Sequence, residues 1–211
     1  MRLGLLGGSF DPPHFGHLHV ARAARDELAL DRVRLIPARQ PPHKLGRELA
    51  PDLHRVAMLE LLAGDEPWLE VDRRELERGG TSFTYDTLVA IRAEVARPGV
   101  RLFFLLGSDS LIDLPTWHRA AGIVELATIV TVPRDPTGVA LGLARIEESL
   151  PAAAAAIRAH VLPVEPLPIS SSQVRARVLA AQTVAELVPG AVAAYIERHG
   201  LYGATPAGAS A

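Results

Sequence analysis

The chain has no cysteine and no asparagine, a single lysine (Lys44), and aromatic rings at only 5% of its 211 positions. Without cysteine there is no disulfide staple, no thiolate zinc site and no cysteine nucleophile. Neither sign of charge is in excess, since 22 Lys and Arg against 24 Asp and Glu leave a formal −2. No general field therefore draws nucleic acid or an anionic membrane to the molecule, and any anion it binds must be held by a local site. Long apolar runs are also missing, and no uncharged stretch reaches the ~18 apolar residues that a spanning helix needs. The opening residues pass from Leu3–Leu6 into glycine without a signal-peptide pattern, so a soluble cytoplasmic domain is expected.

At 48% hydrophobic the chain can bury a proper core, and its length suits one domain of ~100–200 residues. Short apolar runs at Arg2–Leu6, Arg32–Ile36, Trp68–Val71, Arg101–Leu106, Ala127–Val132 and His160–Val164 each predict a strand. Several are apolar throughout, as a parallel sheet covered on both faces requires. Between them, Gly16–Leu30, Asp52–Leu62 and Thr84–Val95 place apolar residues at three- and four-residue steps, which predicts helices, with Thr84 as an N-cap. The alternation argues for an α/β fold, a doubly wound and mostly parallel sheet. After Pro133 the pattern becomes helical, with Thr137–Arg158 interrupted near Pro151, a helix from the serines at 170–172 through Leu179, and a last one over Pro189–His199. A single domain over residues 1–202 follows, with a disordered tail at 203–211. The pattern leaves a homo-oligomer open.

The first strand runs straight into Gly7-Gly8-Ser9-Phe10-Asp11-Pro12-Pro13-His14-Phe15-Gly16-His17. Paired glycines let backbone amides approach a ligand, and a helix starting near Gly16 points its positive end into the same space. His14 and His17, three apart, share one face of that helical start. This is an anion-binding corner at the carboxyl end of strand one, where open α/β sheets bind ligands. Neither a Walker sequence nor a G-x-G-x-x-G fingerprint is present. Two histidines could also ligate a metal, but no third ligand lies at suitable spacing.

Gly8-Ser9-Phe10-Asp11-Pro12 followed by His14-Phe15-Gly16-His17 resembles the (H/T)-x-G-H signature of the nucleotidylyltransferase superfamily. Near the other end, Ile169-Ser170-Ser171-Ser172-Gln173-Val174-Arg175 resembles its Ile-Ser-Ser-x-x-x-Arg element. Between them lie Ile36 to Lys44, Thr81 to Leu88, and Leu106 to Leu111 with Trp117 beyond. Through these blocks, residues 1 to about 202 are similar to the bacterial nicotinate-nucleotide adenylyltransferase family. The resemblance implies a Rossmann-like fold. It also implies adenylyl transfer from ATP to nicotinate mononucleotide, giving deamido-NAD and pyrophosphate, with Mg²⁺ accompanying ATP. Nicotinamide mononucleotide or phosphopantetheine as acceptor, or a non-catalytic nucleotide-binding module, are the alternatives.

Site residues carried over by resemblance are His14, His17 and Arg175 for catalysis. Gly8, Ser9, Phe10, Gly107, Asp109, Arg134, Ser170 and Ser171 join these three around ATP. His43, Lys44, Thr84, Tyr85 and Trp117 serve the mononucleotide. The chemistry of each suits its role. Serines at a helix start offer hydroxyls and amides to phosphates, and Arg175 one turn on offers a planar fork. Amides at Thr84 and Tyr85 could hold a nicotinate carboxylate at a helix N-terminus, and Trp117 could stack on the ring. Plainer readings stay open at several positions: an N-cap at Asp109, packing for Trp117 and a proline-rich surface loop around His43 and Lys44. Protonation of His14 and His17 is undecided, since a helix N-terminus disfavours the imidazolium and a triphosphate favours it. The family's Ser-Tyr-Thr reads Ser82-Phe83-Thr84 here, with Tyr85 at a position usually aliphatic.

Overall fold

A computed structural model of the chain describes residues 1–40 and 48–204. Among the described residues, five strands form one fully parallel sheet: β1 (Arg2–Gly8), β2 (Arg32–Pro37), β3 (Leu69–Val71), β4 (Arg101–Gly107) and β5 (Thr128–Val132). Their order is β3-β2-β1-β4-β5. The chain winds outward from β1 to one edge, then returns to the centre and winds to the other. The switch point therefore falls between the carboxyl ends of β1 and β4, the crevice where such sheets take ligands.

Alternate strand residues face opposite layers, as the two-residue period dictates. One face of the sheet, with Val33, Leu35, Phe103, Leu105 and Val130, packs on α1 (Phe15–Glu27), α2 (Asp52–Ala63), α9 (Ser171–Leu179) and α10 (Gly190–Arg198). The other, with Leu3, Leu5, Leu102, Phe104 and Ile129, is covered by α4 (Thr84–Glu94), α5 (Ser108–Asp113), α6 (Ala120–Leu126), α7 (Pro136–Ser149) and α8 (Pro151–Arg158). The short α3 (Arg74–Arg78) lies between β3 and α4 in the chain. The doubly wound fold and the helical C-terminal portion are both as the alternating pattern indicates.

Several expectations are corrected. The sixth strand, His160–Val164, does not form, and the segment meets β5 only at an isolated bridge between Thr131 and Val161. Pro163, Pro166 and Pro168 remove the amides that a longer ladder would need. Helices α3, α5 and α6 are too short to show a period in the sequence. Thr84 is the first helical residue of α4 rather than its cap, which is Phe83. Gly203 ends a short 3₁₀ turn, Leu201–Gly203, and residues 205–211 of the expected tail lie outside the described residues.

Candidate active site

The glycine turn, the start of α1 and the start of α9 meet at the carboxyl end of β1. Gly8 is closely approached: a Cβ there would stand 3.1 Å from the ring of Phe10, tighter than ordinary contact. Phe10 itself is buried, with a positive φ of 47°, a conformation that costs an L-residue energy and that its packing compensates. Its ring lies 4.8 Å, centroid to centroid, from that of His17, which is in turn 3.8 Å from His14.

His14 caps α1 and is only 7% exposed. Its backbone amide donates to Nδ1 of His17 at 3.2 Å. An accepting Nδ1 carries no proton, so the neutral His17 ring keeps its hydrogen on Nε2, as a donor. Burial, and then the charge of Arg134, lower the pKa of His14 to about 4. Of the two imidazoles whose protonation the sequence left open, His14 is thereby neutral at pH 7. Among the described residues its buried Nδ1 has no hydrogen-bond partner, an unusual state for a polar atom. The α1 terminus is less open than its sequence suggests. Besides the His14 amide, that of Phe15 donates to Leu187 O at 2.9 Å and that of His17 to His14 O at 2.9 Å.

The second signature closes onto the first. Ser170 is the N-cap of α9, its hydroxyl accepting from the Gln173 amide at 3.1 Å. Ser171 Oγ donates to Pro12 O at 2.8 Å. Arg175 Nη1 donates to the main-chain oxygen of Asp11, and Nη2 to Ser172 Oγ at 3.0 Å. Across the switch point, Arg134 and Asp109 form a solvent-exposed pair at 3.3 Å. A Cβ on Gly107 would stand 2.6 Å from Asp109 Oδ1 and 3.3 Å from Arg134 Nε, so glycine leaves room for both. Asp109 is the second residue of α5, whose N-cap is Gly107. Gly8, Ser9, Phe10, His14, His17, Ser170, Ser171 and Arg175 thus gather at the end of β1, while Gly107, Asp109 and Arg134 form a neighbouring group at the end of β4, from which the charge of Arg134 acts on His14.

The residues expected to meet the mononucleotide ring lie on the other face of the sheet. Trp117 is half-buried and meets the Phe104 ring edge-on, centroids 6.3 Å apart, and Phe104 lies under Gly7, 3.8 Å from where a Cβ would be. Tyr85 packs on Gly122, where a Cβ would clash at 2.5 Å, with the Arg119 guanidinium 4.9 Å over its ring. Tyr85 is therefore engaged with α6, and its amide, with that of Thr84, belongs to the first turn of α4. His43 and Lys44 lie outside the described residues. No three His, Cys, Asp or Glu come together as a metal site among the described residues, and no helix there is long and apolar enough to cross a membrane.

Comparison with known proteins bears on this corner. A cytidylyltransferase-like family profile matches residues 5–177. A probable nicotinate-nucleotide adenylyltransferase of Thermomicrobium roseum is 43% identical over 95% of this chain and 91% of its own length. One from Aeromonas salmonicida is 43% identical over 95% and 96%. The chain belongs to the nicotinate-nucleotide adenylyltransferase family. It is accordingly a nucleotidyltransferase. Among solved structures, the Plasmodium falciparum nicotinic acid mononucleotide adenylyltransferase complexed with NaAD superposes with a TM-score of 0.74, covering 95% of this chain and 97% of that one. At 18% identity it speaks for the fold alone.

Three residues that motif reading passed over hold this member of the family together at its site. Arg55 of α2 is fully buried. Its Nη1 donates to Ser9 O at 2.7 Å and Ala38 O at 2.8 Å, its Nε to Ala50 O at 3.1 Å, and its Nη2 pairs with Asp52. One guanidinium thus ties the glycine turn to the exit of β2 and the entry of α2. Glu75 of α3 accepts from Thr87 Oγ1 at 2.6 Å, and burial pushes its pKa up. Ser82, also bonded to Glu75, accepts from the Arg39 amide at 2.9 Å, which braces the approach to α4. Tyr202 reaches back to Asp11, at 2.8 Å. Only Arg55 left a signal, as a charge on the buried stripe it shares with Leu59 and Leu62. The bonds of Ser82 to Arg39 and of Tyr202 to Asp11 join residues 43 and 191 apart in sequence, and that of Glu75 to Thr87 joins separate helices.

Proposed function

We propose that the chain joins ATP to nicotinate mononucleotide, releasing pyrophosphate and forming deamido-NAD, at the corner between β1 and β4. The observation that carries this reading is the closure of α9 onto the glycine turn through Ser171–Pro12 and Arg175–Asp11, which brings two phosphate-binding helix starts together with two histidines. An oxygen of the mononucleotide phosphate attacks the α-phosphorus. The bond to the β-phosphate breaks, and pyrophosphate leaves with the electron pair. The nucleophile is already an anion, so positioning and charge neutralisation are what the protein must supply.

In this reading His17 Nε2–H donates to the transferring phosphoryl group, a role its tautomer supports. His14 is neutral at pH 7, its Nδ1 without a partner among the described residues, and bound triphosphate would favour its protonation. Arg175, Ser170 and Ser171 take the β- and γ-phosphates, and Asp109 and Arg134 take the nucleoside end. Mg²⁺ enters with ATP as part of the substrate and neutralises phosphate charge. At the other end, the amides of Thr84 and Tyr85 receive the nicotinate carboxylate while Trp117 stacks on the ring, and His43 and Lys44 meet the mononucleotide phosphate. A cytoplasmic setting suits an enzyme that draws on ATP.

The test is pyrophosphate release with ATP and Mg²⁺, offering nicotinate and nicotinamide mononucleotides in parallel. Turnover with the acid at least tenfold above the amide is expected. Equal turnover would remove the carboxylate role of Thr84 and Tyr85, and no turnover with either would overturn the reaction.

A further inference from the structure

The carboxylate of Asp11 is only 3% exposed, yet it draws on three distant parts of the chain. Its Oδ1 accepts from the phenol of Tyr202 at 2.8 Å and from the Ala50 amide at 3.2 Å. Its Oδ2 lies 3.7 Å from Nη1 of Arg175, the same nitrogen that donates to the Asp11 main-chain oxygen. Tyr202 comes from the 3₁₀ turn that follows α10. The turn is held by left-handed backbone at Gly200 and Tyr202, both at φ 59°. Leu179 at the end of α9 fills the space over Gly203, where a Cβ would stand 2.8 Å from its Cδ1. The turn is thus wedged against the helix that carries Arg175.

A guanidinium between a buried carboxylate and bound phosphates is subject to two competing attractions. How strongly the carboxylate pulls depends on how well its other oxygen is satisfied. We infer that Tyr202 is a positioning residue for adenylyl transfer: by donating to Oδ1 it orients Asp11 and limits its pull, and so sets the place of the Arg175 fork relative to the ATP phosphates. Burial, and the charge of Asp11, push the Tyr202 pKa upward, so the phenol stays a donor throughout the neutral range. Removing the hydroxyl leaves Oδ1 with one donor fewer inside the protein, and Arg175 is drawn in to compensate. The inference rests on the phosphate-binding role given to Arg175 above.

The test is a double-mutant cycle on pyrophosphate release, with Tyr202→Phe, Arg175→Lys and the pair combined. Tyr202→Phe is expected to lower kcat/KM for ATP about tenfold while KM for the mononucleotide moves less than twofold. Because Tyr202 acts through Arg175, the double variant should be no more than twofold worse than Arg175→Lys alone. A purely structural tyrosine would lower Tm and leave rates measured well below it unchanged. Losses that multiply, or a Tyr202→Phe enzyme within twofold of the parent, would overturn the inference while leaving Arg175 in its role. An Arg175→Lys enzyme as active as the parent would overturn that role and the inference with it. Should Tyr202→Phe fail to fold, Asp11→Asn runs the same cycle from the opposite side: it removes the pull that Tyr202 limits, so its effect on kcat/KM for ATP must likewise shrink to twofold or less in the Arg175→Lys background.

Discussion

The imidazole of His14 occupies the space that a side chain on Gly16 would need: a Cβ there would stand 2.9 Å from Nδ1 and 3.0 Å from Cε1 of that ring. The glycine of the signature is thus a packing partner of its first histidine. Ile169 O, at 3.6 Å from the same point, is in ordinary contact, so the ring is what an added methyl group would displace.

Gly16→Ala should therefore lose activity without losing stability. Alanine favours helix over glycine by up to about 1 kcal/mol, and a side chain can rotate away where backbone cannot. A displaced catalytic group costs rate steeply, so kcat should fall at least about tenfold while Tm holds or rises. Steady-state kinetics beside thermal unfolding decide it, and an unchanged kcat would show that the His14 ring is not needed where it sits.

Stability should fall with acid in a window set by His14. Its pKa is about 4 in the folded protein against 6.5 when free, so between these values the unfolded chain binds more protons. The contribution is complete above pH 6.5 and is lost as pH falls toward 4, to at most about 3 kcal/mol. His54, lowered by burial and by His199, adds to the same trend, so the comparison must be with His14→Gln. Urea unfolding at pH 7 and pH 5 should show a smaller loss for the variant than for the parent. Equal losses would mean that His14 titrates normally.

Arg55→Met should be severely destabilising. It leaves the carbonyls of Ser9, Ala38 and Ala50 without the donors they now have, each worth ~1–3 kcal/mol when buried, although strain and water entry reduce the sum. A loss of about 3–5 kcal/mol is the expected scale for breaking such a buried charged network. Denaturant unfolding measures it, and a loss below about 1 kcal/mol would mean that the three carbonyls find other donors.

The local signals and the long-range contacts divide cleanly in this protein. Continuous apolar runs marked the five strands, since a two-sided parallel sheet leaves no polar face, and three- and four-residue steps marked the longer helices. The same reading failed at His160–Val164, where hydrophobicity is right but the prolines deny the ladder its amides. It also missed α3, α5 and α6, too short for a period to repeat. The two signature segments could be read because each is contiguous. Their meeting could not, since the bonds from Ser171 to Pro12 and from Arg175 to Asp11 span most of the chain.

The sequence by itself determined the fold class and the residue types gathered for phosphate chemistry, because periodicity, glycine placement and motif spacing are local properties. The tertiary structure alone decided that His14 is neutral, that Arg55 braces the corner and that Tyr202 holds Asp11. Each of these depends on which distant groups exclude water from a side chain or satisfy its hydrogen bonds, and no local pattern encodes that.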